Sequence, residues 1–478
     1  MIKKVLLAIL GLVVLLVVVL LFNTLTSTSK QIKVDPITPI AVGDEVLNNF
    51  SKAVQIPTIS YNLETEPDSA VFIAFRNFLQ ETYPLIDSVL DRKIINRYSL
   101  LYTWHGTDPK LKPIILMSHQ DVVPIDEPTK DKWQEPPFSG TIKDGALWGR
   151  GSMDDKSSLI GIMEAVERLI AEGYKPSRTI YLAFGHDEEL GGHDGALEIS
   201  KYLASQNVQA LFTIDEGGFI VDGLVPGLSK PMAMVNVAEK GFVSYELRIE
   251  TGGGHSSNPP AKNTIGMLAK AIYDLEQNQL DLKMVSPLDQ QIAYLGPEMP
   301  FGMKLVFSNP WLFKNLILEG FTARTTTAPT IFNSGIKDNV IPTVAKATVN
   351  FRILPGETSE TVKQHIIDVI KNDQITIKVA SDVNEPSPVS EVDADGFRMI
   401  EKTIKQLYPE AVVVPGLIGG GTDSKHFYSI SDNVYRFYPM HYAKGDEGLA
   451  HGINERMKTD YLKECVQFVH QLIKNANL

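Results

Sequence analysis

Cysteine is almost missing: Cys465 stands alone among 478 residues. A lone thiol excludes an intrachain disulfide and any thiolate-based zinc cluster. A bound cation must therefore be held by His, Asp and Glu. Positive charge is also short, with 45 Lys and Arg against 57 Asp and Glu, a formal net charge of −12. Coating a phosphate backbone needs a basic surface, so nucleic acid is excluded as a partner. Internal repeats and low-complexity tracts are lacking. The hydrophobic share of 44% and charged share of 21% match ordinary globular chains rather than disordered ones. At roughly 100–200 residues per domain, the length predicts about two to four domains.

One long apolar run is present, and it comes first. Lys3 and Lys4 precede an unbroken stretch from Val5 to Phe22, about 27 Å as a helix and close to the thickness of a bilayer core. It ends in Asn23-Thr24-Leu25-Thr26-Ser27, without the small-residue pattern of a cleavage site or a cysteine for lipidation. The expectation is a single-pass anchor over 1–23, with a cytoplasmic N-terminus set by the two lysines and the bulk of the chain outside. Secretion after signal cleavage is the alternative. Residues 24–43, rich in Ser and Thr and then containing Pro, read as a tether.

The body reads as alternating strands and helices. Short apolar runs at 113–119, 179–185 and 210–214 have the continuous character of buried parallel strands. Between the first two, Leu159, Ile162, Met163, Val166, Leu169 and Ile170 follow a helical period that stops at Gly173. This order predicts an α/β domain with a mainly parallel sheet flanked by helices. From Gly241 the pattern changes to strands with one wet face, in a β-α-β-β-α-β order over 241–383 that predicts an inserted α+β unit. The stretch 279–327 interrupts that order and reads as a partly helical insertion. After 384 the α/β character returns to the end, so the catalytic domain divides into halves at 44–240 and 384–478.

Ligands of an open parallel sheet bind beyond the carboxyl ends of its strands, and that is where the acids collect. The three strands are followed by His119-Gln120-Asp121, His186-Asp187-Glu188-Glu189 and Asp215-Glu216, while Asp154-Asp155 stands just before the helix. Each acid alone has a bland explanation, as a helix cap or a turn residue. Their coincidence at one edge suits two divalent cations sharing a carboxylate, with a further acid free to shuttle a proton. Without thiolates, Zn²⁺, Co²⁺ and Mn²⁺ all fit.

The strings His119-x-Asp121-Val-Val-Pro, Gly149-Arg-Gly-x-x-Asp154-Asp-Lys156, Asp187-Glu188-Glu189 and Asp215-Glu216-Gly-Gly resemble the di-zinc amidohydrolases of metallopeptidase family twenty, from about residue 44 to the C-terminus. The carboxypeptidase S and N-acyl-amino-acid hydrolase branch is the most similar. The resemblance implies a zinc-exopeptidase-like fold with two Zn²⁺. His119, Asp154 and Asp215 would hold one zinc, and Asp154, Glu189 and His451 the other. Asp121 would orient His119, and Glu188 would be the general base and acid. It also makes 241–383 a lid and dimerisation domain, in which His255 of Gly252-Gly-Gly-His255 would face the oxyanion, from the same chain or from a partner in a homodimer. Asn339, Arg352, Gly420 and Thr422 fall in matching strings and are the expected substrate contacts, with Arg352 as clamp for a substrate carboxylate.

The expected activity is hydrolysis of the amide bond of peptides with a free C-terminus or of N-acyl amino acids. A dipeptidase is the alternative. A catalytically dead binding module is the weaker reading, because binding alone would not require Glu188. His105, His365 and His470 read as surface or packing residues; His193, beside the loop after Glu189, and His441, flanking the site, have no defensible ligand spacing, and His426, after the glycine loop, is left undecided.

Overall fold

A computed structural model describes residues 1–321, 323–446 and 448–477. The strand Ile114–His119 is buried at every position and lies at the centre of the main sheet. It pairs in parallel with Ile180–Gly185 on one side and Phe212–Asp215 on the other. The register sets His119 opposite Gly185, so these strands end together at one edge. Val434–Arg436 continues the parallel core beside Phe212–Asp215. Antiparallel pairings begin outside it, where Ser99–Trp104 meets Ile180–Gly185 and Phe219–Val221 meets Met232–Glu239. The sheet is thus parallel at its centre and mixed at its margins. The helix Lys156–Ala171 covers one face, packed against the C-terminal helix Thr459–Asn475.

A second sheet is built from Thr326–Ser334, Val344–Ile353, Gly241–Glu250 and Ile375–Val379, all antiparallel and in that spatial order. Burial alternates residue by residue along Val344–Ile353, the mark of a sheet with one covered face. The helices Thr264–Gln277 and Ser359–Ile370 cover it, and this unit has its own core around Val243, Leu247, Leu268, Val349, Phe351 and Ile366.

The insertion contains three helices, Leu288–Leu295, Phe301–Ser308 and Pro310–Gly320. Although it interrupts the second sheet in sequence, it packs on the first. Leu288, Ile292, Phe307, Ile317 and Leu318 join the main hydrophobic core, since that is where an apolar surface is open to them.

The N-terminal helix extends over Ile2–Thr26, longer than expected, with its apolar side chains exposed. The segment after it is not a free tether. Gln31 exchanges two hydrogen bonds with the backbone of Val413 (2.7 and 2.8 Å), and Ile37 N–H donates to Gln406 O at 3.1 Å. Gln467 Nε2 donates to Ile40 O at 2.9 Å. The backbone amide of Ile32 reaches Glu401 Oε1 at 3.4 Å. These bonds lay the segment along the body as a strap.

Glu401 is buried, and that burial pushes its carboxyl up to about 7. The folded state therefore holds a proton that the unfolded chain releases near its ordinary value. The resulting stabilisation is complete below about pH 4.5 and is lost as pH rises through 7. Glu401→Gln should match the parent in thermal unfolding at pH 5 and exceed it at pH 8, by on the order of 2–3 kcal/mol. Parallel pH profiles for the two proteins would remove this assignment.

Candidate active site

Asp154 lies where the sequence-distant pieces meet. One carboxylate oxygen is 2.9 Å from His119 Nε2, and the other is 3.1 Å from His451 Nε2. His451 Nε2 is also 3.1 Å from Glu189 Oε2. His119, at the end of its strand, is almost fully buried. Its other ring nitrogen lies 3.0 Å from Asp121 O and 3.4 Å from Asp121 Oδ1. Asp121 in turn accepts the backbone amides of Glu188 and Glu189 at 3.1 and 3.2 Å. One buried carboxylate thus fixes the imidazole and the acidic loop together.

Arg150, in the string before Asp154, and Glu455, shortly after His451, hold the remaining loops. Glu455 accepts from Arg150 Nη1 at 2.6 Å and from the amides of Met153 and Asp154 at 2.8 and 3.3 Å. Arg150 Nη2 donates to His451 O at 3.0 Å. This buried pair ties the loop of Asp154 to the loop of His451. Arg150 lies in one of the motif strings, but nothing in the sequence pairs it with Glu455, 305 positions away. Gly185 and Gly192 allow close packing of a further acid, since a Cβ at either would meet a carboxylate oxygen of Asp423 at 2.2 and 2.0 Å.

Three groups of ligand-type atoms lie within 4.8 Å of one another: His119 with Asp154 and Glu216, His119 with Glu188 and Glu189, and Asp154 with Glu189 and His451. Glu216 occupies the place expected of Asp215. The Asp215 oxygens are already engaged, accepting the amides of Glu216 and Ser424, each at 2.9 Å. The acid was legible as a pair, but which of two neighbours turns inward depends on where the strand ends.

The electrostatics are those of acids crowded away from water. Burial, reinforced by Asp423, Glu189 and Asp154, drives Glu188 well above the carboxylate range. Burial with Asp154 and Asp155 does the same for Glu216. Hydrogen bonds from Asp154 and Glu189 push His451 up to about 10. Burial opposes charge on His119, yet its hydrogen bonds to Asp121 and Asp154 raise it well above the imidazole range.

A cavity of about 1050 Å³ opens over this cluster. Glu188, Glu189, His451, Arg352 and Gly420 line it, along with His193 and His426 and with Lys240 and Lys425, two lysines the sequence did not single out. Tyr61, Leu63, Phe242 and Val383 give it an apolar wall. Arg352 lies 4.8 Å above the Phe242 ring and donates to Gly419 O at 3.4 Å. Thr422 is not on the wall: it is buried, and its hydroxyl donates to Glu239 Oε1 at 2.7 Å. His255 and Asn339 are also outside it, because both ride on a small ribbon of the second sheet domain. There His255 pairs with Val340, and Ser256 N–H donates to Asn339 O at 3.2 Å. His255 is exposed, with Ser257 as its hydrogen-bond partner.

Residues 115–475 match the model of the peptidase family M20/M25/M40. The chain belongs to that family. It is 40% identical over 480 residues to a probable carboxypeptidase S-like 2 from Dictyostelium discoideum, covering 96% of this chain and 92% of the relative. It is 38% identical over 443 residues to the human N-fatty-acyl-amino acid synthase/hydrolase PM20D1, covering 89% and 86%. Among solved structures, an M20 metallo-carboxypeptidase from Sulfolobus solfataricus shares the fold with TM-score 0.69 at 19% identity, covering 91% of this chain and all of the other. Human carnosine dipeptidase 1 shares it at 0.62 and 17%, covering 91% and 96%. This M20 protein is therefore a metal-dependent hydrolase of carboxypeptidase or aminoacylase type.

Divalent-metal analysis separates the two neighbouring acids. Glu216→Gln should weaken retention of one cation about 10–100-fold, while Asp215→Asn should retain both and instead lose about 1–3 kcal/mol of stability through a mispaired amide. Metal loss on Asp215→Asn with none on Glu216→Gln would reverse the assignment.

Proposed function

We propose that the protein hydrolyses the amide bond beside a free carboxylate, in N-acyl amino acids and in peptides with a free C-terminus, using two Zn²⁺. The donor set supports such a site. It is entirely nitrogen and oxygen, and Glu189 Oε1 is buried with no hydrogen-bond partner among the described residues. His119, Asp154 and Glu216 would hold one cation, and Asp154, Glu189 and His451 the other. When bound, such a pair makes water a nucleophile at neutral pH and polarises the scissile carbonyl.

The observation that carries the reading is that Glu188 and Arg352 line one cavity with Glu189 and His451, the latter in contact with Asp154. Glu188 takes a proton from the attacking water and returns it to the leaving nitrogen. Its burial and acidic neighbours favour a held proton, whereas bound cations would favour the charged form, so the carboxyl can serve in both directions. Arg352, half-withdrawn from water, offers a planar fork to the substrate carboxylate. The apolar wall of Tyr61, Leu63, Phe242 and Val383 suits an acyl chain, in keeping with the relatives named for N-fatty-acyl amino acids. His255 and Asn339, exposed together, would reach the reacting carbonyl from a second copy paired through the lid domain. The helix Ile2–Thr26, long and apolar enough to cross a bilayer, would anchor the enzyme with its body outside the cytoplasm.

Two substitutions test the chemistry. Glu188→Gln should keep both cations and lose about 10²–10⁴-fold in kcat; full turnover with both cations present would remove its proton-transfer role. Arg352→Ala should raise KM roughly tenfold or more for N-acyl amino acids and little for their carboxamides. Equal shifts for acid and amide would refute the carboxylate clamp.

A further inference from the structure

We propose that the paired helices Phe301–Ser308 and Pro310–Gly320 form a second membrane contact, lying in the lipid interface beside the anchor. The proposal rests on the anchored reading of the N-terminal helix. Asn309, the buried residue between the two helices, joins them to that anchor. Asn23 Nδ2 donates to Asn309 Oδ1 at 2.9 Å, and Asn309 Nδ2 donates to Leu20 O at 3.2 Å and to Leu305 O at 2.9 Å. The attachment point is the last turn of the apolar run, which ends at Phe22. An anchor that spans a bilayer reaches head-group level at that turn, and the helix pair is held at the same depth.

The pair also has the surface such a position demands. Phe307, Ile317 and Leu318 are buried against the body. Lys314, Asn315 and Glu319 are exposed on the pair, but so is an apolar set that a water-facing surface would not gather: Phe301, Trp311, Leu312 and Leu316 are 56, 58, 45 and 59% exposed. Trp311 has the amphipathic form that favours the interface, with its indole N–H donating to Asn309 Oδ1 at 3.4 Å. The occupant of this face is lipid: the anchor beside it already requires a bilayer at that level, and no separate partner has to be recruited.

The full chain reconstituted in phosphatidylcholine vesicles provides the test. An environment-sensitive nitrobenzoxadiazole label is placed at Leu316→Cys, at Val14→Cys in the anchor, or at Tyr273→Cys on the exposed face of the lid helix; Cys465 is buried and stays unlabelled. Spin-labelled lipid should quench Val14 and Leu316 several-fold and leave Tyr273 unchanged. A quenched Val14 label with Leu316 behaving like Tyr273 overturns the second contact while the anchor stands. An unquenched Val14 label removes the anchored reading and the inference together. In the unlabelled chain, brominated lipid should quench a fraction of the intrinsic emission that Trp311→Phe lacks, and equal quenching of both proteins would also overturn it.

Discussion

The whole site turns on one carboxylate shared by two imidazoles. Asp154 offers one oxygen to His119 and the other to His451, residues that arrive from a central strand and from a loop near the C-terminus. Neither approach is stable by itself, because buried acids and imidazoles are costly without partners. The surrounding architecture supplies them. Asp121 binds the His119 ring and the amides of the acidic loop, and the Arg150–Glu455 pair links the two loops that converge on Asp154. Much of the buried polar structure is therefore devoted to keeping like charges close.

The parallel core was legible because its strands are continuous apolar runs that end in acids and histidine, and both the sheet edge and the helix after Asp155 follow from that pattern. The second sheet was equally legible from alternation, and the wet and dry positions do alternate along Val344–Ile353. What the pattern could not resolve was orientation at the ends of elements. Asp215 and Glu216 are adjacent, and a single residue of strand length decides which one faces the cluster. Thr422 was misjudged for a similar reason. Its loop does border the cavity through Gly420 and Gly421, but the hydroxyl turns inward to Glu239. Arg150 and Glu455 act through each other from distant parts of the sequence, which no local spacing reveals.

The insertion shows a different limit. It lies in sequence between strands of the second sheet, yet its apolar face is satisfied by the main core. Sequence order does not say which of two available surfaces a helix will cover. That choice has a structural effect, since it places Asn309 against the first helix.

The strap also fixes a stand-off. Gln31 grips Val413 at the start of the strand Val412–Ile418, and the glycine loop at the other end of that strand borders the cavity. The intervening residues span roughly 20 Å. The hold of the strap and the rim of the cavity are therefore tied to opposite ends of one strand, at a fixed distance from each other.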